Sequence, residues 1–336
     1  MTTPTIYMHV GHGKTGSSFI QSSLVLSQAA LSDAGIAYPI DEKWAVAGRA
    51  GNISSGNLKP VPGELVALAR RGFESGHKHV LVSSEALFRG LTDQVADDHA
   101  ALLSEFPGCA IKILLYVRNP VDHVVSTYHQ MIKRGGYTGS FAKAVKGYRF
   151  PTLVGQFFKS MRGRGADVTV LNYSRHSRSL LVTVEDWLGL RSGALANPPV
   201  QIVNRSMTLA ELELQRHFNI AMGESARRYA SDPLCNLLPD IRSETPPLAP
   251  EDLEAFIARM MHMVQEADVV SAIPPDEAYE VPLFDDIVDM FRPRESTYPF
   301  AFSSDQLRVV VEAVKTEMDR QLALAERRHR LALRSQ

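Results

Sequence analysis

The chain contains only two cysteines in 336 residues, Cys109 and Cys235, which is too few for a disulfide framework or a typical zinc site. No apolar run approaches the ~20 residues of a membrane-spanning helix, and the opening Met-Thr-Thr-Pro-Thr lacks the basic and apolar regions of a signal peptide. The formal net charge of −1 provides no broad basic surface for nucleic acid. These absences predict a cytoplasmic protein with no transmembrane segment and no nucleic-acid partner.

The remaining composition is that of a globular protein, with 45% hydrophobic and 22% charged residues. Apolar runs predict strands that alternate with helical patterns, which indicates an α/β fold. We expect a parallel sheet flanked by helices, with a helix-rich C-terminal part. Two domains would also fit this length, but we predict a single domain over residues 1–336, with a core at 1–190 and a helical extension at 200–336. Strands are expected at 5–10, 79–84, 110–117 and 168–173, and helices at 17–34, 63–75, 93–105, 121–134 and 303–334.

The first motif follows the first predicted strand. Residues 11–18 read Gly-His-Gly-Lys-Thr-Gly-Ser-Ser and lead directly into an amphipathic segment. A glycine-rich turn at a helix N-terminus points several backbone N–H groups at one place, which suits a phosphate. The plain alternative is a turn that only connects strand to helix. The loop is not a standard P-loop, because Met8 stands where that pattern requires glycine.

A second motif lies about a hundred residues further on. The apolar run at 112–117 ends in Arg118-Asn119-Pro120, and a helical pattern follows that carries Ser126. An arginine at a strand end can bind a phosphate with two parallel hydrogen bonds, and a proline suits the first position of a helix. On its own this segment is also compatible with an ordinary strand-to-helix connection.

Together the two motifs resemble those of sulfotransferases that use 3′-phosphoadenosine 5′-phosphosulfate (PAPS), in particular the bacterial, carbohydrate-type branch. The resemblance implies that the parallel sheet is P-loop-like. It also implies transfer of a sulfonate group to the hydroxyl of a sugar, glycan or small metabolite, with no metal. The C-terminal Arg-Lys-Gly segment of the cytosolic small-molecule branch is missing. By resemblance, the donor is bound by Gly11, Gly13, Lys14, Thr15, Gly16, Ser17 and Ser18 at the 5′-phosphosulfate, by Arg118 and Ser126 at the 3′-phosphate, and by Tyr173 at the adenine. Tyr173 could equally be a tyrosine on the rim.

The resemblance also implies catalytic roles. Lys14 would stabilise the departing 5′-phosphate, and an acidic or histidine side chain would remove the acceptor proton. Glu85, just after the strand at 79–84, is the first candidate for this base, and His12 is the second. Glu85 could instead be a neighbour of a helix cap or a partner of Lys14. His123 and His129, on the helix that carries Ser126, are expected to be surface or packing residues.

An alternative from another class is a P-loop-like nucleotide kinase or nucleotide-binding protein. Met8 argues against it, as does the lack of a strand that ends in a metal-binding aspartate. A catalytically inactive binding protein of the same fold is a third possibility.

Three further patterns predict structure outside the motifs. Residues 41–63 are rich in Gly, Ser, Asn and Pro and predict a loop that borders the acceptor site. Thr208 and Glu211 have the spacing of a capping box. The helix at 303–334 is predicted to be amphipathic, with Leu307, Val311, Val314, Met318 and Leu322 on one side.

Overall fold

The computed structural model describes residues 3–11, 13–50, 56–59, 61–89, 94–199, 205–271, 273–293 and 301–334. Its centre is one sheet of five parallel strands in the order β2-β3-β1-β4-β5. The strands are β1 (Thr5–Val10), β2 (Ile36–Ala37), β3 (His79–Ser84), β4 (Ala110–Val117) and β5 (Asp167–Asn172). The expected α/β class with a parallel sheet flanked by helices is therefore confirmed.

Sixteen α-helices are assigned within the described ranges. The first eleven are α1 (Ser17–Leu26), α2 (Gln28–Asp33), α3 (Glu42–Arg49), α4 (Glu64–Glu74), α5 (Ala86–Arg89), α6 (Gln94–Glu105), α7 (Pro120–Gly135), α8 (Phe141–Gly147), α9 (Phe150–Arg162), α10 (Tyr173–His176) and α11 (Leu180–Leu188). The others are α12 (Leu209–Met222), α13 (Ser231–Leu237), α14 (Pro250–Ser271), α15 (Phe284–Phe291) and α16 (Ser304–Arg334), and a 3₁₀ helix at Gly223–Tyr229 follows α12.

The sheet is buried on both faces because successive residues of its central strands enter two different cores. In β1, Ile6 and Met8 belong to one core, whereas Tyr7 belongs to the other. The first core also contains buried side chains of α4, α9 and α14. The second contains side chains of α1 and α11. This two-sided burial explains why the strands read as nearly continuous apolar runs.

Two compact units divide the chain. The first comprises residues 1–123, 149–203 and 257–282, and contains the sheet. The second comprises residues 124–148, 204–256 and 283–336, and is helical where it is described. Its buried centre includes Arg205, whose guanidinium donates to both carboxylate oxygens of Glu211 at 2.7 Å. The predicted capping box of Thr208 and Glu211 is present at the start of α12.

Three expectations about local structure were wrong. The segment 41–63 is not one loop, since α3 occupies Glu42–Arg49. The helix expected at 17–34 is broken at Ser27, where the backbone leaves helical geometry between α1 and α2. Tyr173 does not end β5 but begins the short helix α10. In each case the composition of the longer segment did not show a local change of secondary structure within it.

Candidate functional site

The carboxyl ends of β1, β3, β4 and β5 meet at one edge of the sheet, because all five strands are parallel. From β1 the chain passes to β2 on one side, whereas from β4 it passes to β5 on the other. Ligands of open α/β sheets bind at such a reversal of strand order, outside the carboxyl ends of the strands. Both sequence motifs leave the sheet at this place, one after β1 and the other after β4.

The loop after β1 has a backbone that few residues adopt. Gly13, Lys14 and Gly16 have φ values of 80°, 56° and 79°. Lys14 is the only non-glycine residue with a positive φ in the described part of the chain. A lysine in this region costs of order 1–3 kcal/mol, and such strain is concentrated at functional sites. The loop backbone is therefore held in place by its surroundings.

Two contacts from the β4–α7 junction hold the loop carbonyls. Arg118 Nη1 donates to the carbonyl oxygen of Lys14 at 3.0 Å. His123 Nε2 lies 3.2 Å from the carbonyl oxygen of Gly13, and its ring is fully buried with its edge against Phe150. These two contacts join the glycine-rich loop to the β4–α7 junction, so side chains of the second motif are hydrogen-bonded to the backbone of the first.

The hydroxyl groups of Thr15 and Ser17 are buried at the start of α1. Neither Thr15 Oγ1 nor Ser17 Oγ has a hydrogen-bond partner among the described residues. The first turn of α1 contains no acidic residue, and the N-terminus of a helix carries a partial positive charge. Buried hydroxyls without partners beside a helix N-terminus fit the oxygen atoms of a phosphate or sulfate group.

Tyr173 lies beside both motifs. The Arg118 guanidinium is 5.4 Å from the centroid of the Tyr173 ring. A Cβ atom on Gly16 would lie 3.1 Å from Tyr173 Cε2 and 2.6 Å from Leu180 Cδ1. Tyr173 thus limits the space at the start of α1, and Gly16 is required both by its φ and by these neighbours.

Glu85 packs against the first residue of the loop. A Cβ on Gly11 would lie 2.9 Å from Glu85 Cγ and 2.6 Å from Ser17 Oγ. Glu85 is half-buried, directly after the end of β3. The carboxylate that we expect to act as a base therefore belongs to the same edge of the sheet as the glycine-rich loop.

The other predicted site residues are placed as follows. Ser18 is half-buried in the first turn of α1. Ser126 lies on α7, in the part of that helix that belongs to the second unit. His12 lies outside the described residues. His129 is buried, and its Nδ1 accepts a hydrogen bond from the backbone N–H of Met207 at 3.1 Å.

The motifs did not reveal two residues next to the site. His123 was expected at the surface or in packing, and only the fold shows that it reaches the Gly13 carbonyl. His9 lies in β1, and its Nδ1 is 2.8 Å from Ser83 Oγ. Burial lowers the pKa of His9 to about 4, because the charged ring would be desolvated. No sequence signal identifies either contact, since both join segments far apart in the chain.

No protein-family model and no curated protein matches this sequence. Within the described ranges, no helix is both long and apolar enough to cross a membrane. Nor do those ranges hold a group of three or more His, Cys, Asp or Glu side chains suited to a metal ion. The expectation that the reaction needs no metal stays a prediction.

Proposed function

We propose that this protein is a sulfotransferase that moves a sulfonate group from PAPS to an acceptor hydroxyl. The observation that carries the proposal is the hydrogen bond between Arg118 and the carbonyl oxygen of Lys14. It brings together, at the reversal point of a parallel sheet, the two motifs that resemble the 5′- and 3′-phosphate elements of sulfotransferases. The same arrangement supports the P-loop-like assignment of the fold, which is part of this proposal.

The residues present fit a donor with phosphate groups at two positions. The loop after β1 offers backbone N–H groups, the N-terminus of α1 and the unpartnered hydroxyls of Thr15 and Ser17. The guanidinium of Arg118, which donates to the carbonyl oxygen of Lys14, is a planar cation of the kind that binds phosphate. Tyr173 offers an aromatic face beside them.

In this proposal the loop and Lys14 stabilise negative charge where it develops. PAPS supplies an activated sulfonate group and a phosphate leaving group. The N–H and hydroxyl donors of residues 11–18 hold the phosphosulfate, and the Lys14 ammonium neutralises charge on the departing oxygen. Arg118 and Ser126 hold the 3′-phosphate, so that donor and acceptor are oriented for in-line attack.

Glu85 is the proposed general base. It lies at the edge where the loop begins, and its Cγ approaches Gly11 closely. A carboxylate there can accept the proton of an acceptor hydroxyl as the oxygen attacks. His12 remains the second candidate for this role. The acceptor class, a sugar, glycan or small metabolite with a hydroxyl group, is part of the same proposal.

A thermal-shift comparison of three ligands tests the proposal. The product 3′-phosphoadenosine 5′-phosphate should stabilise the protein by RT ln(1 + [L]/Kd), whereas ADP and Mg-ATP should shift it little. Stabilisation by Mg-ATP alone would instead support the nucleotide kinase. Equal shifts in melting temperature with ADP and the bisphosphate would contradict the proposed 3′-phosphate site. Sulfonate transfer from labelled PAPS to a panel of hydroxyl acceptors then separates an enzyme from an inactive binding protein.

Lys14→Ala should lower turnover by about 10²–10³-fold, the usual effect of removing one group that stabilises transition-state charge. The melting temperature should stay close to that of the wild type. Lys78→Ala is the matched control, because Lys78 is exposed in the turn before β3, at the opposite end of that strand. Equal turnover in the two variants would contradict the role of Lys14.

A further inference from the structure

The segment 273–281 contacts the carboxyl end of β5, about a hundred residues after that strand. Ile273 and Tyr279 are buried in the core on one face of the sheet. Between them, the backbone N–H of Glu277 donates to the carbonyl oxygen of Pro274 at 2.8 Å. This turn is therefore anchored on both sides, and the Glu277 side chain that it presents to β5 is only 13% exposed.

The Glu277 carboxylate bridges the two ends of the turn that carries Tyr173. Its Oε2 accepts a hydrogen bond from the backbone N–H of Asn172 at 2.6 Å, and its Oε1 lies 2.7 Å from His176 Nε2. Asn172 is the last residue of β5, and His176 is the last residue of α10. Hydrogen bonds to a carboxylate are stronger than those between neutral groups. One side chain thus connects the end of the strand to the end of the short helix that follows it.

The Asn172 side chain fixes the start of α10 from the same place. Asn172 is fully buried, and its Nδ2 donates to the carbonyl oxygen of Ala278 at 2.7 Å. Its Oδ1 accepts a hydrogen bond from the backbone N–H of Ser174 at 2.9 Å, as a helix-capping side chain does. The residues before and after Tyr173 are therefore both held, the first of them directly by the segment 273–281.

The helix α10 lies against the residue expected to bind the 3′-phosphate. The Tyr173 ring is 5.4 Å from the Arg118 guanidinium, and the backbone N–H of Asn119 donates to Ser174 Oγ at 3.4 Å. A shift of α10 would therefore move an aromatic ring relative to the cation beside it. Binding groups that lose their relative positions lose affinity, even when each of them is still present.

We propose that Glu277 is a positioning residue for the donor, because it holds Tyr173 beside Arg118. This role rests on the proposed function. Glu277 acts through Asn172 and His176 and not on the donor itself. The groups that act on the reacting atoms follow β1 and β3, so a change at Glu277 should raise the KM for PAPS and leave kcat close to that of the wild type.

Calorimetric titration with 3′-phosphoadenosine 5′-phosphate tests this role. Glu277→Leu should weaken binding by about tenfold, because both contacts of the carboxylate are lost. Glu277→Gln keeps an oxygen that accepts from Asn172 and should retain most of the affinity. Glu280→Gln is the matched control, since it breaks the exposed pair with Arg175 in the same segment and should bind like the wild type. Wild-type affinity in Glu277→Leu, or an equal loss in Glu280→Gln, would overturn the proposal.

His176→Leu covers the case in which Glu277→Leu does not fold. It removes one of the two contacts and should weaken binding by about threefold. Unchanged affinity in this variant would contradict the proposal. Steady-state kinetics add a second readout: the KM for PAPS should rise in both variants, and a fall in kcat with an unchanged KM would overturn the positioning role.

Hydrogen exchange of the ligand-free protein distinguishes failure of this role from failure of the proposed function. In Glu277→Leu, the amides of residues 172–176 should exchange at least about tenfold faster, whereas those of β1 should exchange as in the wild type. Unchanged exchange at residues 172–176, or an equal increase in β1, would overturn the positioning role even if the donor binds. A wild type that does not bind the bisphosphate would instead contradict the proposed function itself.

Discussion

The glycine-rich loop of the first unit and the Arg205–Glu211 cluster of the second use buried polar groups in opposite ways. Arg205 and Glu211 are nearly or fully buried, and each has several partners: the guanidinium also donates to the Leu238 carbonyl at 2.6 Å, and Gln306 donates to the Glu211 carboxylate at 2.7 Å. Thr15 and Ser17 are equally buried, yet their hydroxyls have no partner in the described part of the chain. Buried polar groups that have hydrogen-bond partners stabilise a fold, whereas buried polar groups without partners are available to a ligand.

Glu211→Gln should give the largest change in stability. It removes one charge of a buried pair and leaves the Arg205 guanidinium without its counter-charge, which costs about 3–5 kcal/mol of the free energy of unfolding. Urea denaturation measures this loss. Glu213→Gln, on the same helix, breaks the partly exposed pairs with Arg216 and His217 and should cost about 1 kcal/mol or less. A similar loss of unfolding free energy in the two variants would contradict a larger contribution from the buried Arg205–Glu211 pair.

Acidification should act first through the sheet and only later through the cluster. His9 has a pKa of about 4 when folded and 6.5 when unfolded, so protons favour the unfolded state as the pH falls between these values. We expect stability to fall by about 1 kcal/mol per pH unit in that range. The partners of Glu211 lower its pKa despite burial, so its contribution is lost below the unfolded value of 4.5. Urea denaturation of His9→Gln should show a smaller decline between pH 6.5 and 5 than the wild type, and the remainder comes from His79 and His99, whose pKa values burial also lowers. A decline equal to that of the wild type would contradict the assignment to His9.

A change at His123 tests the role of one hydrogen bond to the glycine-rich loop, because its Nε2 contacts the carbonyl oxygen of Gly13. His123→Leu should weaken binding of 3′-phosphoadenosine 5′-phosphate by about two- to tenfold, which corresponds to one hydrogen bond of about 0.5–1.5 kcal/mol. Calorimetric titration measures the affinity. His123→Gln keeps a donor at a similar position and should recover most of it. Because either change can affect packing against Phe150, failure of Gln to bind better than Leu, at equal thermal stability, would assign His123 to packing alone.

Thr15→Val should have the smallest effect on the fold, and in the opposite direction. Removal of a buried hydroxyl without a partner is expected to raise the free energy of unfolding of the ligand-free protein by about 1 kcal/mol. Thr183→Val is the matched control and should be destabilising, because Thr183 Oγ1 lies 2.5 Å from Tyr116 Oη. Urea denaturation compares the two, and a loss of stability in Thr15→Val would show that its hydroxyl is already satisfied.

The sequence predicts what depends on near neighbours in the chain. Apolar runs located β1, β3 and β4, because parallel strands are buried on both faces. Glycines with positive φ at positions 13 and 16 agree with the predicted turn. What could not be predicted depends on distant segments: the approach of Glu85 to Gly11, and the contact of His123 with Gly13, exist only once the strand order is fixed. The exposure of Leu307, Val311, Met318 and Leu322 on α16 could not be predicted either, because amphipathic spacing does not show what an apolar face contacts.

The division of each unit among three segments has a consequence for synthesis on the ribosome. The core on one side of the sheet includes Val264, Ala267, Ile273 and Tyr279, which follow the last strand by about a hundred residues. Because synthesis starts at the N-terminus, all five strands are made before these four residues, which cover part of one face of the sheet. The nascent sheet therefore exposes apolar surface until residues 257–282 have left the exit tunnel, and exposed apolar surface of this kind favours aggregation.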